Sequence, residues 1–234
     1  MERTDISSTN FGKRSRSCFQ GTATDTVARQ DVVNTRTDSY GGSIANRARF
    51  GLEVTRAVIE AVGDGNRVGI RLSPWSTYQG MGMGQRTIAQ FLHIVRELKK
   101  LDVAYIHLVE SRISGGAPDG VYKMLNEENK PLVDAWGDEE GRPVLLAGGF
   151  TKEKAGRVMT ELYTGEHIGI VFGRQFLSNP DLPFRLKEDL ALNEYDRSTF
   201  YKPKVREGYI DYPFSEQWVE RQAEDLVAEG GPNR

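Results

Sequence analysis

Val68-Gly69-Ile70-Arg71-Leu72-Ser73-Pro74 is the stretch on which the fold turns. Extended, it sends Val68, Ile70 and Leu72 to one side and Gly69, Arg71 and Ser73 to the other, and Pro74 ends it. One face is apolar; the opposite face is small and polar. Upstream, Ile44, Ala48, Gly51, Val54, Val58 and Val62 recur at three- and four-residue steps, which predicts an amphipathic helix. Ser43 is its N-cap and Gly63-Asp64-Gly65 its stop. Downstream, Thr87 to Leu101 is helical, with Ile88, Phe91, Leu92, Val95 and Leu98 on one stripe.

The alternation continues. Val103 to Glu110, Pro143 to Gly148 and His167 to Phe172 are predicted strands. A weak helix lies inside Asp119 to Trp136, a clearer one spans Thr151 to Tyr163, and another lies around Pro183 to Leu190. An aromatic-rich tail follows, from Tyr195 to Trp218. Strands alternating with helices mean a parallel sheet covered by helices. Two architectures satisfy that: a small open doubly wound sheet, or part of a (β/α)8 barrel. Gly69, Arg71 and Ser73, with Tyr105 and His107 on the next strand, suit a barrel lumen near its active-site mouth.

Composition narrows the function. With 31 Lys and Arg against 33 Asp and Glu, the chain has no basic excess for nucleic acid or anionic lipid. No apolar run is long enough for a membrane helix, and Met1 to Gln20 has no signal-peptide core. A cytoplasmic protein is expected. The single cysteine, Cys18, excludes an internal disulfide and a cysteine-cluster metal site, and the scattered His93, His107 and His167 argue against a histidine-rich one. Residues 1–31 are polar and aperiodic, an irregular head, with residues 32–234 as the folded body.

Several residues are placed to do chemistry. Arg71 stands at the carboxyl end of its strand, where barrels keep their functional groups; the alternative is a structural pair with a carboxylate such as Glu110. Ala147-Gly148-Gly149-Phe150-Thr151 and Phe172-Gly173-Arg174 each follow a strand and open a helix. Glycines there let backbone N–H groups meet an oxyanion, and consecutive strands carrying them match a barrel phosphate site. His107 is read as a core histidine hydrogen-bonded to backbone, and His93 and His167 as solvated or structural.

These segments resemble the old yellow enzyme family, FMN-dependent, NAD(P)H-consuming ene-reductases on a (β/α)8 TIM barrel. The matching stretches run in family order from Asn34 to Pro213: NTRTDSYGGSIANRARF (34–50), VGIRLSP (68–74), HLVESR (107–112), LAGGF (146–150), FGRQFLSNPDL (172–182), LNEYDRSTFY (192–201) and GYIDYP (208–213). The resemblance implies a partial barrel of about four C-terminal βα units. It further implies that Arg71 lies beside the flavin pyrimidine edge and favours the reduced anionic form. Gly148, Gly149, Gly173 and Arg174 would bind the FMN phosphate, and Tyr201 and Tyr78 would wall the pocket for an α,β-unsaturated carbonyl.

The family also carries a His-x-x-Asn or His-x-x-His pair, followed by a proton-donating tyrosine, shortly before the segment matching Asn34. Gln20 to Val33 holds no histidine and no tyrosine. The expectation is therefore an impaired flavin oxidoreductase. A different class of reading is a non-catalytic remnant or subunit that binds a phosphate-bearing ligand or a complementary half-barrel. A flavin-free barrel enzyme acting on phosphorylated substrates stands only if the resemblance is set aside. Half of a barrel leaves strand edges and an apolar lumen uncovered, so self-association through those edges is expected.

Overall fold

The computed structural model describes residues 18–19, 30–77, 80–111, 129–137, 141–163 and 167–228. These divide into two compact units, Met1–Val171 and Phe172–Arg234. In the first, five parallel strands pair in chain order: β1 (Cys18–Phe19), β2 (Gly69–Leu72), β3 (Tyr105–Val109), β4 (Val144–Ala147) and β5 (Ile168–Val171). The helices between them are α1 (Ile44–Val62), α2 (Thr87–Lys100), α3 (Lys130–Trp136) and α4 (Lys152–Arg157), the last continuing as a π-helical turn over Val158–Leu162. β1 falls inside the segment read as an irregular head and pairs Cys18 with Gly69.

The caps are where the sequence places them. Ser43 accepts the Asn46 N–H at the start of α1, and Gly63, at φ +80°, returns its own N–H to Ile59 at the end. The buried face of α1 is Arg47, Ala48, Gly51, Leu52 and Thr55, rotated from the predicted stripe. The cause is polar: the Arg47 guanidinium donates to Gln90 of α2 at 3.0 Å and also to the Gly42 carbonyl, which turns that side inward. On α2, Phe91, Ile94, Val95 and Leu98 are buried, so Ile94 takes the place predicted for Leu92.

The strands show two unlike faces. Ile70, Leu72, Ile106, Leu108, Val144 and Leu146 are all but fully excluded from water. Each such side chain stabilises the fold by roughly 1.5–3 kcal/mol relative to exposure. Of their alternates, Arg71, Tyr105, Val109, Leu145, Ala147, Gly169 and Val171 are only half-buried, whereas Gly69 and His107 are buried. Helices therefore cover one side of the sheet and leave the other partly open. A doubly wound sheet would bury both faces, so this is the lumen side of a partial barrel. Gly69 is required on that side, because a Cβ there would sit 2.2 Å from the Tyr105 ring that lies across it.

The second unit contains α5 (Arg174–Ser178), α6 (Leu182–Glu188) and α7 (Glu216–Ala228). A buried ion pair joins its parts: Arg185 Nε lies 2.7 Å from Asp181 Oδ1, with the two side chains 6% and 0% exposed. Arg185 also donates to the Ala191 and Pro213 carbonyls, and Asp181 Oδ2 accepts the backbone N–H and hydroxyl of Ser215, just before α7. Burial alone would raise the Asp181 pKa. The hydrogen bonds from Ser215 and Arg185 outweigh it and hold the carboxyl below its usual range. No helix among the described residues is long and apolar enough to cross a membrane.

Candidate functional site

The open face of the sheet carries the first part of the site. The parallel register sets Arg71 of β2 directly beside His107 of β3, followed across the sheet by Leu145 of β4 and Gly169 of β5. Arg71 is half-buried, and among the described residues it makes no hydrogen bond or ion pair. The alternative structural pairing with Glu110 is thus not formed. Glu110 is itself buried, and its side chain packs against Gly148 instead. A guanidinium left without an anion on a half-exposed face is suited to an electron-rich ligand group.

His107 is 8% exposed, and its Nε2 has no hydrogen-bond partner among the described residues. Burial first, and then the neighbouring Arg71 charge, push its pKa down from 6.5 to about 4. Among the described residues, the register sets Arg71 of β2 and Leu145 of β4 beside His107, with Tyr105 two residues earlier on its own strand and Glu110 beyond the strand end. At neutral pH the imidazole is uncharged and Arg71 supplies the positive charge of the pair.

Stability depends on pH accordingly. The unfolded chain binds a proton at His107 near the ordinary histidine value of ~6.5, whereas the folded chain does so only near about 4. Stability linked to His107 is therefore complete above that ordinary value and is lost as pH falls toward the folded one. The loss amounts to roughly 3 kcal/mol at most. The Asp181 contribution persists through this window, because its pKa is lowered and it is lost only under stronger acid. Urea midpoints at neutral and mildly acid pH should show this slope in the wild-type chain and a shallower one in His107→Leu. Parallel pH profiles for the two proteins would refute the assignment.

At the end of β4, Gly148 and Gly149 have φ of +145° and +63°. A Cβ on Gly148 would lie 2.7 Å from the Glu110 Cβ, so this glycine is demanded by packing whether or not a ligand binds. Thr151 caps α4 by accepting the Lys154 N–H. In the second unit, Gly173 has φ −90°, and nothing described lies within 4 Å of a Cβ built there. Among the described residues no steric or conformational reason for a glycine exists at that position, which leaves room for close approach of a ligand. Arg174 donates from Nη1 to the Tyr195 hydroxyl at 3.0 Å, with its guanidinium 5.1 Å from the ring centroid. Tyr195 stacks on Phe200, so an aromatic group steadies the arginine.

Tyr201 is 93% exposed with φ +61°, and its N–H donates to the Tyr209 hydroxyl. Tyr78 lies outside the described residues. The structure thus brings Arg71 and His107 together in one unit, with Gly148 against Glu110, and places Gly173, Arg174 and Tyr201 in the other. Among the described residues no cluster of His, Cys, Asp or Glu could hold a metal ion.

The family model described as the NADH:flavin oxidoreductase / NADH oxidase family matches residues 30–193. The probable inactive dehydrogenase easA of Claviceps fusiformis is 48% identical over 199 residues, covering 85% of this chain and 51% of that protein. The chanoclavine-I aldehyde reductase fgaOx3 of Penicillium roqueforti is 48% identical over 189 residues, covering 81% and 49%. Among solved structures, the Old Yellow Enzyme from a Pichia species matches with a TM-score of 0.68 at 36% identity, over 82% of this chain and 47% of that one. The chain spans about half the length of the curated relatives it matches. It belongs to the NADH:flavin oxidoreductase / NADH oxidase family, in its old yellow enzyme group, and corresponds to the C-terminal half of that group's (β/α)8 barrel.

Proposed function

We propose that this chain carries the FMN-holding part of an NAD(P)H-dependent ene-reductase site, whose substrates are α,β-unsaturated carbonyls. The observation that carries the proposal is Arg71: a half-buried cation without a partner among the described residues, beside an uncharged histidine on the uncovered side of a barrel sheet. The residues present fit FMN. Arg71 and the unanswered His107 Nε2 suit the polar edge of a planar heterocycle, and Gly173 leaves space for a phosphate. When bound, FMN supplies the carrier of hydride between NAD(P)H and the alkene.

The protein's own part is binding and electrostatics. Arg71 holds positive charge where an electron-rich ring edge is to sit, and the half-buried setting strengthens that interaction over its value in water. For the phosphate, the first unit would offer the backbone N–H groups of Gly148 and Gly149; taken by itself, the second unit offers Gly173 and the Arg174 guanidinium, which suit an anion of the same kind. Tyr201 is the second unit's candidate for the substrate wall on the family resemblance, and Tyr78, the other candidate, lies outside the described residues.

Arg174→Ala removes a charge-assisted hydrogen bond of roughly 1.5–3 kcal/mol. It is expected to weaken FMN binding about ten- to a hundredfold, as read by quenching of flavin fluorescence. An unchanged dissociation constant sinks the phosphate assignment. A second reading, a non-catalytic ligand-binding subunit, is supported by the absence of histidine and tyrosine between Gln20 and Val33 and by the name of the 48% identical Claviceps relative. Visible absorbance of the purified protein separates the two, since a flavin chromophore supports the first and colourless protein the second.

A further inference from the structure

Two polar groups share the middle of the open sheet face, and binding of FMN through charge alone uses only one of them fully. Arg71 supplies that charge. His107 stands beside it in register, more than nine-tenths buried, with Nε2 unpartnered among the described residues. Across the sheet the next positions in that row are Leu145 and Gly169, which offer no side-chain hydrogen bond. Two residues back, the Tyr105 ring is committed to packing over Gly69. Two residues forward, Val109 is apolar. In this layer, among the described residues, Arg71 and His107 are the side chains able to orient a ligand.

A buried ring nitrogen with no partner is unfavourable, and proteins keep such groups where a ligand answers them. We propose that His107 is a ligand-contacting residue of this site: its imidazole hydrogen-bonds, through Nε2, the same polar heterocycle edge that Arg71 faces. This rests on the FMN reading and adds to it a residue on β3. The pairing is chemically economical. A second cation beside Arg71 would be repelled, whereas a neutral imidazole adds direction without charge. One guanidinium fixes the position of a planar edge, and a second, fixed polar atom on the adjacent strand fixes its rotation.

The test titrates FMN and riboflavin, which share the ring but differ in the phosphate, into wild-type, His107→Leu, His107→Gln and Arg174→Ala proteins. Flavin fluorescence quenching is read alongside thermal unfolding. His107→Leu should weaken both flavins by the same factor, about three- to tenfold, the loss of one hydrogen bond. His107→Gln should recover most of it. Arg174→Ala should weaken FMN alone. The melting temperature of flavin-free His107→Leu should not fall, because the substitution removes an unanswered polar atom from a buried position.

Unchanged flavin affinity in His107→Leu, with the Arg174→Ala effect intact, overturns the role of His107 and leaves the FMN reading standing. Loss of affinity accompanied by a lowered melting temperature in both His107 variants also overturns it, as a folding effect. Failure of the wild-type protein to quench either flavin overturns both.

Discussion

Gly148→Ala is expected to destabilise the first unit strongly. Two effects add at this position. The backbone sits at φ +145°, where a side chain is strained by about 1–3 kcal/mol. The new Cβ would also stand 2.7 Å from the Glu110 Cβ, and Glu110 is itself fixed by its N–H bond to the Ala147 carbonyl. Relieving that overlap means moving β3 against β4, a further ~1–3 kcal/mol. The sum is roughly 2–6 kcal/mol, a large share of the ~5–15 kcal/mol that holds an ordinary domain together. At about 2–4 °C per kcal/mol for a chain of this size, the melting temperature should drop by about 5–20 °C. Gly173→Ala is the control: with φ −90° and open space around it, its melting temperature should stay close to wild type. Equal, small changes in both would show that Gly148 is not constrained by Glu110.

The contrast between these two glycines shows what a sequence can and cannot say about a site. In sequence both are glycines after a strand, and both read as phosphate loops. Structure separates them: Gly148 answers to Glu110, and Gly173 answers to nothing described. The sheet itself was legible, because Val68, Ile70 and Leu72 alternate with Gly69 and Arg71, and a period of two is the mark of a strand with unlike faces. The caps of α1 were legible because Ser43 and Gly63 are chemically specific to their positions.

The face of α1 was not legible, because Arg47 is buried by partners on α2 and at Gly42, and periodicity counts only apolar residues. Helix α7 was missed. Its cap depends on Ser215 meeting Asp181, thirty-four positions earlier, and its exposed Val219 and Leu226 blur any apolar stripe. His107 was expected to find a backbone partner, yet its Nε2 has none among the described residues. Whether a buried histidine is answered depends on strand register, and register does not show in a single strand's sequence.

The chain by itself is expected not to reduce enones at a useful rate. Reduction of an alkene conjugated to a carbonyl requires two things of the protein: polarising the carbonyl so that the β-carbon accepts hydride, and placing that carbon over the hydride donor. Arg71 and His107 lie on the sheet face proposed to hold FMN, and the exposed Tyr201 is proposed only as a wall residue; none is assigned to the carbonyl oxygen. The family's carbonyl-binding pair and proton-donating tyrosine precede the segment matching Asn34, and Gln20 to Val33 offers neither histidine nor tyrosine. Losing a single preorganised donor to a developing oxyanion costs about 10²–10³ in rate, and losing the pair removes substrate positioning as well. NADPH consumption with cyclohexenone, measured anaerobically with added FMN and corrected for free FMN, should stay far below ~1 s⁻¹, the low end of ordinary enzymes. The same protein should still quench FMN fluorescence, because the contacts proposed for Arg71 and for the phosphate do not depend on the carbonyl-binding pair. Turnover at or above that rate would mean that another group in this chain binds the carbonyl, and a scan of polar residues on the open face around Arg71 would then find it.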